Sequence, residues 1–225
     1  MRAEEDQMNA VDEIYAAHSD PEGFAGGYAT YLGELLGRLD RNAVAAFMRL
    51  VLEVRNRGGR VFFVGNGGSA ATASHFANDF SIGTRCAEKP FKAISLTDNV
   101  AAMTAIANDE GYDQLFVKQL EVVMEPGDIV VAISASGNST NVVKALEFAK
   151  SRGNKTVALT GFETGGRIAE IADIVIHVKT RRGEYGPVED VHMFVDHLMG
   201  SYFNRVVFEE RAAGHFIEAH KTAVM

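Results

Sequence analysis

Asp128-Ile-Val-Val-Ala-Ile-Ser-Ala-Ser-Gly-Asn-Ser-Thr140 decides how the rest of the chain is read. Ile129 to Ser134 carry no charge and are apolar or β-forming, the pattern of a strand buried on both faces in a parallel sheet. The character then changes. Ser134, Ser136, Ser139 and Thr140 crowd around Gly137 and Asn138, and Val142, Val143, Leu146 and Ala149 follow at helical spacing. The hydroxyl cluster therefore falls where a strand turns into a helix. Free N–H groups and the positive end of the helix dipole favour an anion there, and hydroxyls add neutral donors. The simpler reading makes Ser139 an N-cap and the other serines turn residues. Three serines and a threonine in so short a span favour the anion site.

Working outward, a second strand-to-glycine-loop unit precedes this one. Arg60-Val-Phe-Phe-Val64 is a buried strand that runs into Gly65-Asn-Gly-Gly-Ser69 and an alanine-rich helix over Ala70 to Phe80. Lys92 to Leu96, Thr156 to Leu159 and Asp173 to Val178 are three further strands, with helices over Val100 to Ala107, Gln114 to Met124 and from Val188 past Phe208. Five strands alternating with helices predict an α/β fold, a three-layer α/β/α sandwich on a five-stranded parallel sheet with right-handed crossovers. Ligands in such folds gather outside the carboxyl ends of the strands, at a switch in strand order. The glycine loop and the serine loop both lie at such ends.

Upstream, Tyr28, Tyr31, Leu32, Leu35, Leu36 and Leu39 follow a 3.6 period, and Asp40 caps a second stripe of Val44, Phe47, Met48 and Val51. These two helices predict an edge cover or a subunit contact. Residues 1–20 are polar and acidic, with an apolar scatter only at Met8, Val11, Ile14 and Tyr15, and are expected to form a frayed helix or an arm; the expected bounds are 1–24 for this arm, 25–210 for the domain and 211–225 for a tail.

The chain has 225 residues, 47% of them hydrophobic, enough for one α/β domain with a large core. Its net charge of −8, without a Lys/Arg block, predicts no nucleic-acid partner. No apolar run approaches the roughly 20 residues of a membrane span. A single cysteine, Cys86, and no signal peptide predict a cytoplasmic protein.

Gly65-Asn-Gly-Gly-Ser-Ala70 also fits a dinucleotide fingerprint, but Asp98 comes later than that fingerprint's acidic residue and the serine loop would be left unexplained. A phosphate on the serines with sugar hydroxyls near Asn66 uses both loops. His75 and Asp79 share a helix face. The closing helix carries Glu189, Asp190, His192, Asp196 and His197, with His192 and His197 on nearly opposite faces, so one of these histidines is functional and the other structural. A His/carboxylate pair from each of two helices suits a divalent ion such as zinc; without a metal, the same groups suit proton transfer between adjacent sugar carbons. The two chemistries are compatible.

Phe63 to Ser69, His75-Phe-Ala77, Thr97-Asp98-Asn99, Ala107-Asn108-Asp109, Ile133 to Ser139, Leu159-Thr-Gly161 and the Val191 to His197 helix occur in this order. Together they resemble the sugar isomerase (SIS) domain family over roughly residues 25 to 208, and within it the bacterial phosphoheptose isomerases, which convert sedoheptulose 7-phosphate to D-glycero-D-manno-heptose 7-phosphate. The resemblance implies that Ser69, Ser134, Ser136 and Ser139 hold the phosphate and that Asn66, Gly67, Asp109 and Glu189 bind the substrate. It implies a metal set of His75, Asp79, Glu189 and His197 around one zinc ion (Zn2+), with Asp79 and His197 catalytic, and a homotetramer. Four positions depart from the family pattern: Asp79 replaces Glu, Glu189 replaces Gln, Ala135 replaces Thr and Gly186 replaces Asp. The same family includes a DnaA-associating replication regulator, which is the non-catalytic alternative. Retained His75 and His197 favour the enzyme.

Overall fold

A computed structural model describes residues 8–214. The chain opens with α1 (Ala10–Ala17), capped by Asn9, whose Oδ1 accepts the N–H groups of Val11 and Asp12 at 2.9 and 3.1 Å. Of the two forms expected for the leading residues, a frayed helix or an arm, the described part forms a helix. Its first turn is tied down by the Ala10 N–H, which donates to the buried Glu184 at 2.8 Å. Helix α2 (Pro21–Gly37) starts four residues before the expected boundary at residue 25, because Asp20 caps it and Pro21 presets its first turn. Helix α3 (Arg41–Asn56) begins at the Asp40 cap, as its stripe predicts, and buries Val44, Phe47, Val51 and Val54.

The α/β body then runs β1 (Arg60–Gly65), α4 (Gly68–Asn78), β2 (Lys92–Ser95), α5 (Val100–Asp109), α6 (Leu115–Val123), β3 (Ile129–Ser134), α7 (Thr140–Ser151), β4 (Lys155–Thr160), α8 (Gly166–Ile171), β5 (Ile174–His177) and α9 (Tyr185–Ala212). All pairings are parallel and the sheet order is β2-β1-β3-β4-β5. The fold is the three-layer α/β/α sandwich that the strand pattern predicts. Sequence patterning missed α8, which is six residues long and opens on two glycines of positive φ, its cap Gly165 and its first residue Gly166. Helix α9 starts at Tyr185 rather than Val188, since Pro187 is tolerated in a first turn whose N–H groups have no intrahelical acceptor anyway. It ends at Ala212, inside the expected tail, whose residues 215–225 lie outside the described part. Among the described residues, no helix is long and apolar enough to cross a membrane.

Successive residues of each strand feed opposite cores, as the two-residue period requires. Val61, Phe63, Val131, Ile133, Val157 and Leu159 pack on one face against α3, α4 and α9. Phe62, Val64, Val130, Ala132 and Ala158 pack on the other against α6, α7 and α8. On the first face an aromatic column links three elements. Phe63 stacks on Phe76 at 5.0 Å, Phe76 meets Phe80 edge-on, and Phe203 of α9 lies 5.0 Å from Phe80 and 4.7 Å from Phe91. This column joins α4 to α9 through side chains that are fully buried. Phe203→Ala is expected to lower the unfolding free energy by about 3–5 kcal/mol, measured by urea denaturation, because it removes a ring from a site with little room to collapse.

Candidate functional site

Strands β1 and β3 are neighbours in space, and the sheet order reverses there, which puts their two loops side by side. The register pairs Gly65 with Ile133. Gly65 can carry no side chain, since a Cβ would come within 2.5 Å of the Ser69 carbonyl. That close approach lets the chain leave β1 straight into α4 and buries Ser69 in the helix's first turn. Gly67, at φ +55°, turns the corner. Asn66 is committed to the scaffold: its Nδ2 donates to Asn141 Oδ1, the Asn141 Nδ2 donates back, and the Tyr112 hydroxyl donates to Asn66 Oδ1, all at 2.9 Å. This locks the glycine loop to the start of α7.

In the serine loop, Ser134 Oγ accepts the Gly137 N–H at 3.2 Å and lies 3.5 Å from Ser136 Oγ, which accepts the Asn138 N–H at 3.4 Å. Ser139 is the N-cap of α7, yet its side chain makes no capping bond. Its hydroxyl is thus not spent on the helix, as the simpler sequence reading would have it. Helix α8 buttresses this loop. The Ile168 N–H donates to the Gly137 carbonyl and the Arg167 N–H to Asn138 Oδ1, both at 3.0 Å. Gly137 and Gly166, both at φ +66°, interlock so closely that a Cβ on Gly137 would sit 1.9 Å from the Gly165 carbonyl. The chain signals this only through Gly165-Gly166, which are separated from the serine loop by a whole helix and strand.

The second part of the site lies between α4 and α9. Gly68 faces Glu189, His75 faces Asp196 and Asp79 faces Gly200, steps of seven and four on both helices, so the two run parallel in fixed register. Donor atoms of His75, Asp79, Asp196 and His197 all lie within 4.8 Å of one another. His75 Nε2 is 3.3 Å from His197 Nε2, 3.5 Å from Asp79 Oδ2 and 3.8 Å from Asp196 Oδ2. Asp79 begins a single π-helical turn, Asp79–Gly83, that widens the end of α4. The structure brings together three residues of the expected metal set and leaves Glu189 outside, because eight residues separate it from His197 along the helix. Its carboxylate rests over Gly68 instead, where a Cβ would come within 2.2 Å of Oε2. Partial burial and the neighbouring Asp190 raise its pKa. Asp109 ends α5 on the exposed surface, with its carboxylate accepting Asn108 Nδ2 at 2.7 Å.

Asp196 was legible only as one of several polar residues on the last helix. It is fully buried, and among the described residues neither of its carboxylate oxygens has a hydrogen-bond donor. Burial, then the nearby Asp79 charge, pushes its pKa up to about 8. A divalent ion fits this group. Four donors bonded to zinc at about 2.0–2.1 Å in a tetrahedron stand about 3.3–3.4 Å apart, close to the separations around His75 Nε2. An ion would also compensate the buried carboxylate. His192, by contrast, is sealed under β4, with Nε2 3.3 Å from the Thr160 carbonyl.

A sheet whose switch point carries a hydroxyl-lined helix start, beside a His/Asp cluster on two helices, defines a phosphosugar-binding α/β protein. The sequence pattern of the SIS domain matches residues 27–161. A phosphoheptose isomerase of Chlorobaculum tepidum is 40% identical over 174 residues, 76% of this chain and 82% of that one. One of Solidesulfovibrio magneticus is 38% identical over 178 residues, 79% and 85% of the two chains. Among solved structures, the phosphoheptose isomerase of Neisseria gonorrhoeae superposes with a TM-score of 0.69 at 31% identity, covering 87% of this chain and 99% of that one. That of Francisella tularensis gives 0.72 at 26%, covering 88% and 100%. The chain belongs to the SIS domain family.

Two outcomes follow from this geometry. Gly137→Ala should displace the serine loop and lower kcat/KM for a phosphorylated sugar on the order of 10²-fold, while circular dichroism shows the fold retained. His192 has its pKa lowered from 6.5 to about 4, first by burial. The unfolded chain therefore binds the extra proton between those values, and stability is lost as pH falls from 6.5 towards 4. His192→Gln should flatten the fall in Tm across that window, a loss on the order of 3 kcal/mol in the parent protein.

Proposed function

We infer that this protein is an aldose–ketose isomerase of the phosphoheptose isomerase kind, interconverting sedoheptulose 7-phosphate and D-glycero-D-manno-heptose 7-phosphate. The observation that carries the reading is the pairing of a hydroxyl-lined loop between β3 and α7 with a His/Asp cluster set apart from it between α4 and α9. A phosphate and a reacting carbon pair at opposite ends of one sugar chain need that separation. Ser69, Ser134, Ser136 and Ser139 hold the phosphate, helped by the free N–H groups at the starts of α4 and α7. The carbon chain then follows the α4–α9 seam past Gly67, Gly68 and Glu189 towards His75, and Asn66 keeps the glycine loop in place.

At the far end, Asp79 and His197 are the groups the resemblance assigns to proton transfer; like His75 they have side chains at least partly open to solvent, whereas Asp196 is sealed. One removes the proton from C1 of the ketose to give the cis-enediolate, and a proton is returned to C2 to give the aldose. Binding energy from the distant phosphate holds the C1–C2 unit against these groups. His75, Asp79 and His197 would hold a divalent ion, zinc being the one the donors suit, and when bound it polarises the carbonyl and stabilises the developing negative charge.

We further read the protein as a cytoplasmic homotetramer. The exposed Phe194, Tyr202 and Phe208 on α9 and the helices α1 and α2, which together bury only Leu35, support the self-association. The buried single thiol of Cys86 supports a reducing compartment.

Incubation with sedoheptulose 7-phosphate in D2O, followed by NMR, tests the enzyme reading. The aldose should accumulate with solvent deuterium incorporated at C2. His197→Ala should lower kcat by about 10²–10⁴-fold with the fold intact. An unaltered rate in that variant, or no turnover of a heptulose phosphate by the parent protein, overturns the assignment.

A further inference from the structure

The family resemblance gives position 189 a place in the metal set, and the register of the two helices takes it away. Gly68 and His75 are seven residues apart on α4, and so are Glu189 and Asp196 on α9, which separates the two facing pairs by about 10.5 Å along the seam. At the first level a carboxylate lies over a glycine that has no side chain to obstruct it. At the second, Asp196 approaches the same imidazole nitrogen of His75 that Asp79 approaches from α4. Its two oxygens are buried and unpartnered among the described residues, an arrangement that a cation relieves and that an apolar side chain would not need. Asp79 brings one carboxylate into the cluster from the end of α4. Asp196 brings a second one in from the opposite helix.

We propose that Asp196 is a ligand of the divalent ion and takes the place that the resemblance assigns to position 189, leaving Glu189 at the substrate end of the crevice. Two carboxylates and two imidazoles then make a site that is electrically neutral when loaded. The same register that carries Asp196 into the cluster places Glu189 beside the first turn of α4, where it can accept from a sugar hydroxyl. The role of Glu189 rests on the isomerase reading; the role of Asp196 does not.

Metal binding by chelator competition, metal content by mass spectrometry and the zinc-induced shift in Tm are measured on the parent protein, Asp196→Asn and Glu189→Ala, each first stripped of metal. Asp196→Asn should bind zinc at least about tenfold more weakly and lose most of the zinc-induced rise in Tm, with its circular dichroism unchanged. Glu189→Ala should keep parental zinc affinity while its turnover of sedoheptulose 7-phosphate falls. Asp196→Ser repeats the measurement should the asparagine variant fail to fold. Unchanged zinc affinity in the Asp196 variants, an equal loss in Glu189→Ala, or no zinc binding by the parent protein overturns the proposal. Zinc held through Asp196 by a parent protein that turns over no heptulose phosphate would sustain the metal assignment and overturn the enzyme reading alone.

Discussion

The fixed register between α4 and α9 is the constraint on which the chemistry depends. Two parallel helices can slide past one another by a turn without exposing much apolar surface, so an apolar stripe alone does not set their axial offset. Here the aromatic column sets it. Phe80, at the end of α4 and held edge-on by Phe76, meets Phe203 of α9 edge-on at 5.0 Å, and a slip of α9 by one turn, about 5.4 Å, would break this contact and the stack of Phe203 on Phe91. With the column in place, His75, Asp79, Asp196 and His197 converge, and Gly68 sits under Glu189. The Arg55 guanidinium reinforces the same offset from below: it lies 4.5 Å from the Phe91 ring centre and makes a two-pronged pair with Glu210 of α9 at 3.0 and 2.8 Å.

The other half of the site obeys a different logic, that of backbone packing. Strand order places β1 beside β3; Gly65 lets its strand turn against the Ser69 carbonyl straight into α4, and Gly137 and Gly166 let the serine loop close on the start of α8, approaches that no side chain would permit. Asn66 and Asn141 exchange amide hydrogen bonds across the gap, so the glycine loop and the start of α7 move as one piece. The serine hydroxyls are thereby displayed from a rigid frame rather than from a mobile loop. Such preorganisation lets a remote phosphate contribute to holding the reacting carbons.

How much of this was written in the sequence follows from what each signal measures. Strand β3 and its serine loop were legible because burial on both faces and an abrupt change to small polar residues are local properties. The helical face bearing His75 and Asp79 was legible from a spacing of four. Helix α8 was not, because six residues that open on a glycine pair carry no period. The place of Asp196 was not, because a 3.6-residue repeat reports which face a residue occupies and says nothing of its height against a neighbouring helix. Spacing alone does put Glu189 and Asp196, seven apart, on one face. Which of the two stands opposite His75 is decided by the aromatic column, a tertiary fact.

The two small residues that depart from the family pattern illustrate the same distinction. On sequence alone, Ala135 and Gly186 imply two lost polar contacts with the substrate. Ala135, however, is buried in an apolar cluster with Leu35, Phe162, Val178, Val188 and Val191, while its carbonyl accepts the Gly161 N–H at 3.0 Å. A hydroxyl there would need a partner within that cluster, so the alanine suits the packing at this position. At Gly186 a Cβ would lie 3.0 Å from the Tyr28 hydroxyl, which donates to Asp190 at 2.7 Å. The tyrosine of α2 thus occupies the space next to position 186, and its bond to Asp190 steadies the first turns of α9 from which Glu189 projects. The loss of a carboxylate at 186 is in this way coupled to the leading helices: the segment that looked like a preface to the fold helps to position the mouth of the site.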